Sequence, residues 1–223
     1  MKRKLAIIHT TPVTVEPLKT LALELMPDLE LFNLVDDSIL PELIGNGGRI
    51  EAVEERWRRY ALIAEKQGAD CILNACSSIG GLVARVQPDV GVPIVRIDEA
   101  MAEEAVRPGG VIGVAATLET TLKPTADLLR QQAERIGVTP SIRPMLVASA
   151  YRKLAAGDRD GHDEDLSAAL RELAAVTDRV VLAQASMARV LERLAPEERG
   201  RFLTSPRLGM EAVKRKLYGE RGE

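Results

Sequence analysis

Cys76 is the side chain of this sequence best placed to do chemistry. It stands in DCILNACSSIGG, residues 70–81, after a short apolar run and before Ser77 and Ser78. A thiol between a strand end and a helix start can be pulled toward thiolate by backbone N–H groups, and a thiolate can attack a substrate or carry a proton. The spacing therefore predicts a reactive Cys76, with Asn74, Ser77 and Ser78 as polar neighbours. Two plainer readings stand beside it: Cys76 packs as a small hydrophobe, and the serines cap a helix. Packing is the preferred reading for Cys71, at the start of the same run. A second stretch, DRVVLAQASMAR at 178–189, repeats the rhythm with Gln184 in the thiol's place and Ser186 where Ser78 would stand. An amide donates and accepts hydrogen bonds but does not ionise near neutral pH.

The repeat extends further. LAIIHTTPVTVEP at 5–17 overlays IGVAATLETTLKP at 112–124 with an offset of 107, so that Thr10 meets Thr117 and Thr14 meets Thr121. The two cysteine-position stretches overlay with an offset of 108. Two separated matches at nearly one spacing predict an internal duplication. Each copy alternates short apolar runs with helical patterns, as in a parallel sheet covered on both faces. The expected fold is α/β: two pseudo-symmetric halves, each a short parallel sheet flanked by helices, with a ligand cleft between them. The expected domains are residues 1–98 with 204–223, and residues 99–203. Strands are expected at Leu5 to His9, Leu29 to Leu34, Cys71 to Ala75, Pro93 to Ile97, Val111 to Ala116, Ser141 to Leu146, Val180 to Ala183 and Arg201 to Thr204. Helical stripes are expected from Ile50 to Gln67 and through Leu166, Ala169, Leu170 and Leu173. Ser205 to Gly209 should open the last helix. GNGG at 45–48 reads as a turn, because no Lys-Ser or Lys-Thr follows it.

In open parallel sheets, ligands sit beyond the carboxyl ends of the strands. That rule selects His9, Thr10 and Thr11, then Asn74 to Ser78, Thr117 to Thr121 and Gln184 to Ser186. Hydroxyls and helix amino termini in these places suit a small carboxylate. His9 fits two roles, an acid/base group titrating near neutrality or a hydrogen-bonded structural histidine. His162, in GDRDGHDEDL, is expected at a helix start with Asp163 as the cap. Arg207 is a lesser candidate for an anion clamp, and Lys214, Arg215 and Lys216 read as a solvated helix end.

The totals narrow the classes. Net charge is −3 with no basic stripe, and aromatic residues are 3% of the chain, so neither nucleic-acid binding nor a stacking platform is expected. No apolar run approaches the ~20 residues of a membrane-spanning helix. MKRKLAII is too short in apolar residues for a signal peptide and reads as a first strand. Cys71 and Cys76 would lie about 16 Å apart along a strand, beyond the reach of a disulfide, which fits a reducing cytoplasm. With His9 and His162 in unlike contexts and no ligand spacing, no metal site is expected. Pairing of exposed faces into a homo-oligomer is an open expectation.

On NACSSIG, IGVAATLETTLKPT and VVLAQASMA, the sequence resembles the aspartate/glutamate/hydantoin racemase superfamily. The resemblance covers most of the chain. It implies two α/β halves and an enzyme that needs no cofactor, in which two cysteines work on opposite faces of a carbon beside a carboxylate. Cys76 matches the first cysteine; Gln184 stands at the second. The superfamily also includes single-cysteine decarboxylases of malonate-type acids and isomerases that add a cysteine to the substrate. The resemblance therefore implies an isomerase or lyase working through Cys76. His9, Thr10, Thr11, Asn74, Ser77, Ser78, Thr117, Thr121, Gln184 and Ser186 would hold the substrate. A binding protein that has lost catalysis is the alternative.

Overall fold

The computed structural model describes residues 2–219. Met1 and Glu220–Glu223, assigned to the first domain from sequence, lie outside them. Among the described residues eight strands form: β1 Lys4–His9, β2 Glu30–Val35, β3 Cys71–Asn74, β4 Ile94–Arg96, β5 Val111–Ala116, β6 Ser141–Leu146, β7 Arg179–Leu182 and β8 Phe202–Thr204. Each start and end lies within a residue of its expected place. The helices are α1 Val15–Leu25, α2 Ile39–Gly45, α3 Glu51–Lys66, α4 Leu82–Val86, α5 Glu99–Val106, α6 Glu119–Ile136, α7 Ala148–Ala155, α8 Arg159–Ala175, α9 Pro196–Arg199 and α10 Ser205–Tyr218. The chain divides into two compact units, the first running to Ile97 and resuming at Pro206, the second being Asp98–Ser205.

In the first unit four parallel strands lie in the order β2-β1-β3-β4. Strand β1 is buried from Leu5 through His9 and β3 throughout, so both read as continuous apolar runs rather than alternating ones. Helix α3 covers the sheet because its apolar residues recur every three or four positions: Val53, Trp57, Ala61 and Ala64 are all buried against Ala6, Ile8 and Ile72. Gly47 and Gly48 take positive φ after α2, the backbone a turn needs and a side chain resists.

The second unit repeats the order as β6-β5-β7-β8, with Leu166, Leu170 and Leu173 of α8 packed on Val180 and Leu182. Its edge strand β6 carries Pro144, tolerated where no further strand must pair. The duplication survives in individual bonds. Leu5 pairs with Cys71 and Ile112 with Arg179. The Asp70 carboxylate accepts from the Lys4 N–H at 2.8 Å, and the Asp178 carboxylate from the Val111 N–H at 2.7 Å. The Ala75 N–H reaches Ile8 O at 3.0 Å; Ala183 reaches Ala115 O at 2.9 Å. Each pair is related by the offsets of 107 and 108 read from the sequence, so the two units share a hydrogen-bond register as well as an element order.

Candidate active site

Cys76 follows β3 at the carboxyl edge of the first sheet, in extended backbone (φ −132°, ψ 113°) that leads into a 3-10 turn over Ser77–Ile79. The expected α-helix opened by serine caps is not there. Neither serine caps an α-helix: both are buried, and only the five-residue α4 comes next. What remains of the expected helix start is a set of individual donors. The Thr10 and Ser78 hydroxyls and the N–H groups of Ser78 and Ile79 hydrogen-bond the sulfur and favour thiolate. Burial opposes them and dominates: Cys76 is 7% exposed and packs in the cluster of Ile72, Ile79 and Leu82, so its thiol titrates above the ordinary value. The lowered pKa expected from sequence is thereby corrected, because the donors only partly offset desolvation.

Cys71 shows what burial does without such a cradle. It is fully buried, its thiol directed at Ile72 O at 3.8 Å, and desolvation pushes it up to about 12. It packs, as its strand position implies. Both cysteines are free thiols.

Asn74, the last residue of β3, is fully buried and donates its Nδ2 to Cys76 O at 3.0 Å. A carbonyl can only accept, so this bond fixes the amide's orientation. Its Oδ1 is then a buried acceptor with no hydrogen-bond partner, the kind of group that ordinarily finds one. His9 ends β1 with both ring nitrogens engaged, Nδ1 with the Thr14 hydroxyl at 2.8 Å and Nε2 with Asn33 Oδ1 at 2.9 Å. Asn33 Oδ1 accepts, so Nε2 carries the proton, while the Thr14 hydroxyl sits between Nδ1 and Thr11 O, 3.3 Å from the latter. Burial holds the ring's pKa below its ordinary value. Of the two roles open to His9, this geometry supports the structural one: the neutral ring ties β1 to β2 and to the turn after it. Thr11 is half-exposed and caps that turn, accepting from the Val13 N–H at 3.4 Å. Asn33 and Thr14 were missed from sequence; a lone asparagine in the apolar ELFNLV was the available signal.

In the second unit, Gln184 stands at the position of Cys76 with nearly the same backbone (φ −120°, ψ 134°), again leading into a 3-10 segment, Ala185–Arg193. Its Oε1 accepts from the Thr117 N–H at 2.7 Å and the Thr117 hydroxyl at 3.0 Å. A backbone N–H can only donate, so the amide's oxygen must face Thr117 and its Nε2 hydrogens must face elsewhere. Thr10 donates to position 76 and Thr117 to position 184: the threonine partner is duplicated, while the acceptor has changed from sulfur to amide oxygen. Thr121 is buried in the first turn of α6, and Ser186 is half-buried in the 3-10 segment.

Other candidates are placed away from these groups or in different roles. Helix α8 is capped by Asp158, whose carboxylate accepts from the Gly161 N–H at 2.8 Å, and not by Asp163. Asp163 lies one turn inside, buried, and binds His162 Nδ1 at 2.6 Å and Arg189 at 2.7 Å. A buried carboxylate needs such partners, so it could not serve as an exposed cap. Arg207, in the first turn of α10, pairs with Glu24 at 2.6 Å on the surface. Arg96, the last residue of β4, was overlooked. It is the register partner of Asn74, and a charged residue ending a buried apolar strand was its signal. Among the described residues no group of three or more His, Cys, Asp or Glu is arranged to hold a metal ion, and no helix is long and apolar enough to cross a membrane.

A model of the Asp/Glu/hydantoin racemase family matches residues 8–213. Among solved structures, the chain is similar to a putative Asp/Glu racemase from Yersinia pestis, with a TM-score of 0.69 and 14% identity over 95% of this chain and 97% of that one. An aspartate racemase homologue from Pyrococcus horikoshii superposes with a TM-score of 0.68 at 19% identity, covering 96% and 98%. An allantoin racemase from Klebsiella pneumoniae gives 0.59 at 20%, covering 96% and 86%. No curated protein matches by sequence. With that match over almost its whole length, and with the duplicated four-stranded units behind it, the chain belongs to the Asp/Glu/hydantoin racemase family.

Proposed function

We propose that this protein is a cofactor- and metal-independent enzyme of the cytoplasm that acts on a small carboxylic acid through one thiol, Cys76, as a lyase or one-sided isomerase. One observation carries the reading: the position corresponding to Cys76 in the second unit is filled by Gln184, whose oxygen is already committed to Thr117. Racemisation by two thiols needs an acid and a base that both ionise, and an amide does not. A reaction that creates its own carbanion needs a single proton donor. In decarboxylation of a malonate-type acid, the bond between the α-carbon and one carboxylate breaks and carbon dioxide leaves. The electron pair stays on the α-carbon, delocalised into the remaining carboxylate. The Cys76 S–H then delivers its proton to that carbon, and water reprotonates the thiolate. A thiol kept protonated by burial, yet ringed by donors that steady the thiolate once formed, suits that step.

The Gln184 Nε2 hydrogens would orient a carboxylate or carbonyl, and the hydroxyls of Thr11, Ser77 and Ser186 would supply further donors, while Thr10, Ser78 and Thr117, whose hydroxyls donate to Cys76 and Gln184, would hold those two side chains in place. The unpartnered Asn74 Oδ1 would take an N–H or O–H from the ligand. The burial of Cys76 among Ile72, Ile79 and Leu82 is the one observation favouring the alternative, a carboxylate-binding protein without turnover.

The test is a screen of α-amino acids, hydantoins, malonates and maleate in deuterium oxide by NMR, with carbon dioxide release followed in parallel. A substrate consumed by the wild type and untouched by Cys76→Ala is the expected result. Turnover that survives Cys76→Ala would end the proposal, and binding without turnover across the panel would favour the alternative.

A further inference from the structure

Gly80 lies just past the 3-10 turn that carries Cys76, with φ −55° and ψ −31°. Any residue adopts that backbone, so conformation does not call for glycine here. Space does. A Cβ at position 80 would meet Arg96 Nη2 at 2.7 Å, with Nε and Cζ closer still. The guanidinium therefore lies flat where a side chain on the Cys76 turn would otherwise stand. It arrives from β4, whose last residue is Arg96, in register with Asn74, and Asn74 in turn holds Cys76 O. Arg96 is half-buried and makes a further hydrogen-bonding or electrostatic contact, and a guanidinium offers five donors in a planar fork. The hydroxyls, amide and imidazole named for the first unit's site carry no positive charge; Arg96 brings one against the backbone of the turn.

We propose that Arg96 is the anion-holding residue of the Cys76 site, gripping a substrate carboxylate through its fork, and that Gly80 is glycine to let the head lie there. The claim rests on the reading of the site as one for small carboxylates, but not on turnover. Arginine meets a carboxylate through two parallel N–H···O bonds, which fixes orientation as well as charge. Arg96 would thereby select acids over their amides and set which face of the substrate meets the sulfur.

Calorimetric titration of the full chain with malonate, succinate and maleate, and with neutral malonamide as control, tests this. Loss of a charge-assisted hydrogen bond is expected to weaken dicarboxylate binding about 10- to 100-fold in Arg96→Gln, with an intermediate loss in Arg96→Lys and no change for malonamide. Gly80→Ala, which keeps the charge but displaces the head, should weaken the dicarboxylates too. Adding it to Arg96→Gln should cost nothing further, since both changes act on one contact. Undiminished dicarboxylate binding in Arg96→Gln would overturn the proposal, and so would a wild type that binds none of the three acids. Arg96-dependent binding without turnover of any acid would sink catalysis and leave this inference standing. Cys76-dependent turnover with Arg96-independent binding would do the reverse.

Discussion

The ends of β3 and β7 are the same place built twice, and they differ in one functional atom. Both lead through extended backbone into a 3-10 segment, at Cys76 and at Gln184. Both receive a threonine from the end of the neighbouring strand, Thr10 in one unit and Thr117 in the other. In the first unit the donors meet sulfur, which can release a proton; in the second they meet an amide oxygen, which cannot. A duplicated fold thus keeps its hydrogen-bond scaffold while one copy carries an ionisable thiol and the other an amide. The lesson is that the scaffold asks only for an acceptor at this position, so scaffold and reactivity can be lost separately.

The largest effect expected from breaking this comparison is at Cys76 itself. Cys76→Ala should reduce turnover of the substrate found in the screen by about a thousandfold or more, the scale on which loss of an essential proton-transfer group is felt, with circular dichroism and thermal melting near those of the wild type. Next comes restoring the symmetry: Gln184→Cys places a thiol where the Thr117 N–H and hydroxyl can hold it. Under the proposed function, it should bring interconversion of a chiral substrate's enantiomers to a level measurable by chiral chromatography. If inversion does not appear, the amide at position 184 is not what the proposed one-sided chemistry depends on.

Removing the threonines separates the units further. Thr10→Val takes a donor from the thiolate and should lower kcat about 10-fold or more, since a hydrogen bond to a charged group contributes about 1.5–3 kcal/mol. It should also push the Cys76 thiol further up, readable from the pH dependence of iodoacetamide labelling. Thr117→Val leaves the backbone N–H in place for Gln184 and should cost about 1 kcal/mol of stability with a smaller effect on kcat. Equal kinetic effects of the two would erase the distinction between the units.

The smallest effects are on stability against pH. The folded chain keeps Cys71 protonated up to about 12, above its ordinary 9.0. The resulting stabilisation is complete below pH 9 and is lost as pH rises toward 12. Cys71→Ala should flatten that alkaline decline in chemical denaturation. His9, buried and held below its ordinary 6.5, contributes stability present above pH 6.5 and lost as pH falls through its lower folded value. His9→Gln should flatten the acid side.

Much of the architecture was legible because strands buried on both faces leave unbroken apolar runs, and because the duplication repeated Thr10 as Thr117 and Cys76 as Gln184 at nearly one spacing. The fate of individual side chains was less so. The thiol's pKa depended on the balance between burial and donors, and sequence shows the donors' types but not how deeply Ile72, Ile79 and Leu82 enclose the sulfur. The partners of His9 were hidden because Asn33 comes from a different strand. Asp163 was mistaken for a cap because caps and buried ion-pair members are both acidic residues near helix starts; the Arg189 contact that settles it comes from 26 residues away. Arg96 escaped because its meaning depends on a missing Cβ at Gly80, a contact no periodicity encodes.

Under the proposed function a single sulfur handles the reacting proton. The most direct measurement of this is the enantiomeric composition and deuterium content of the product formed in deuterium oxide from a prochiral or chiral substrate of the screen. The predicted result is deuterium at the carbon beside the carboxylate, delivered to one face only, and none of this product from Cys76→Ala. Deuterium on both faces in the wild type, or unchanged labelling without Cys76, would contradict it.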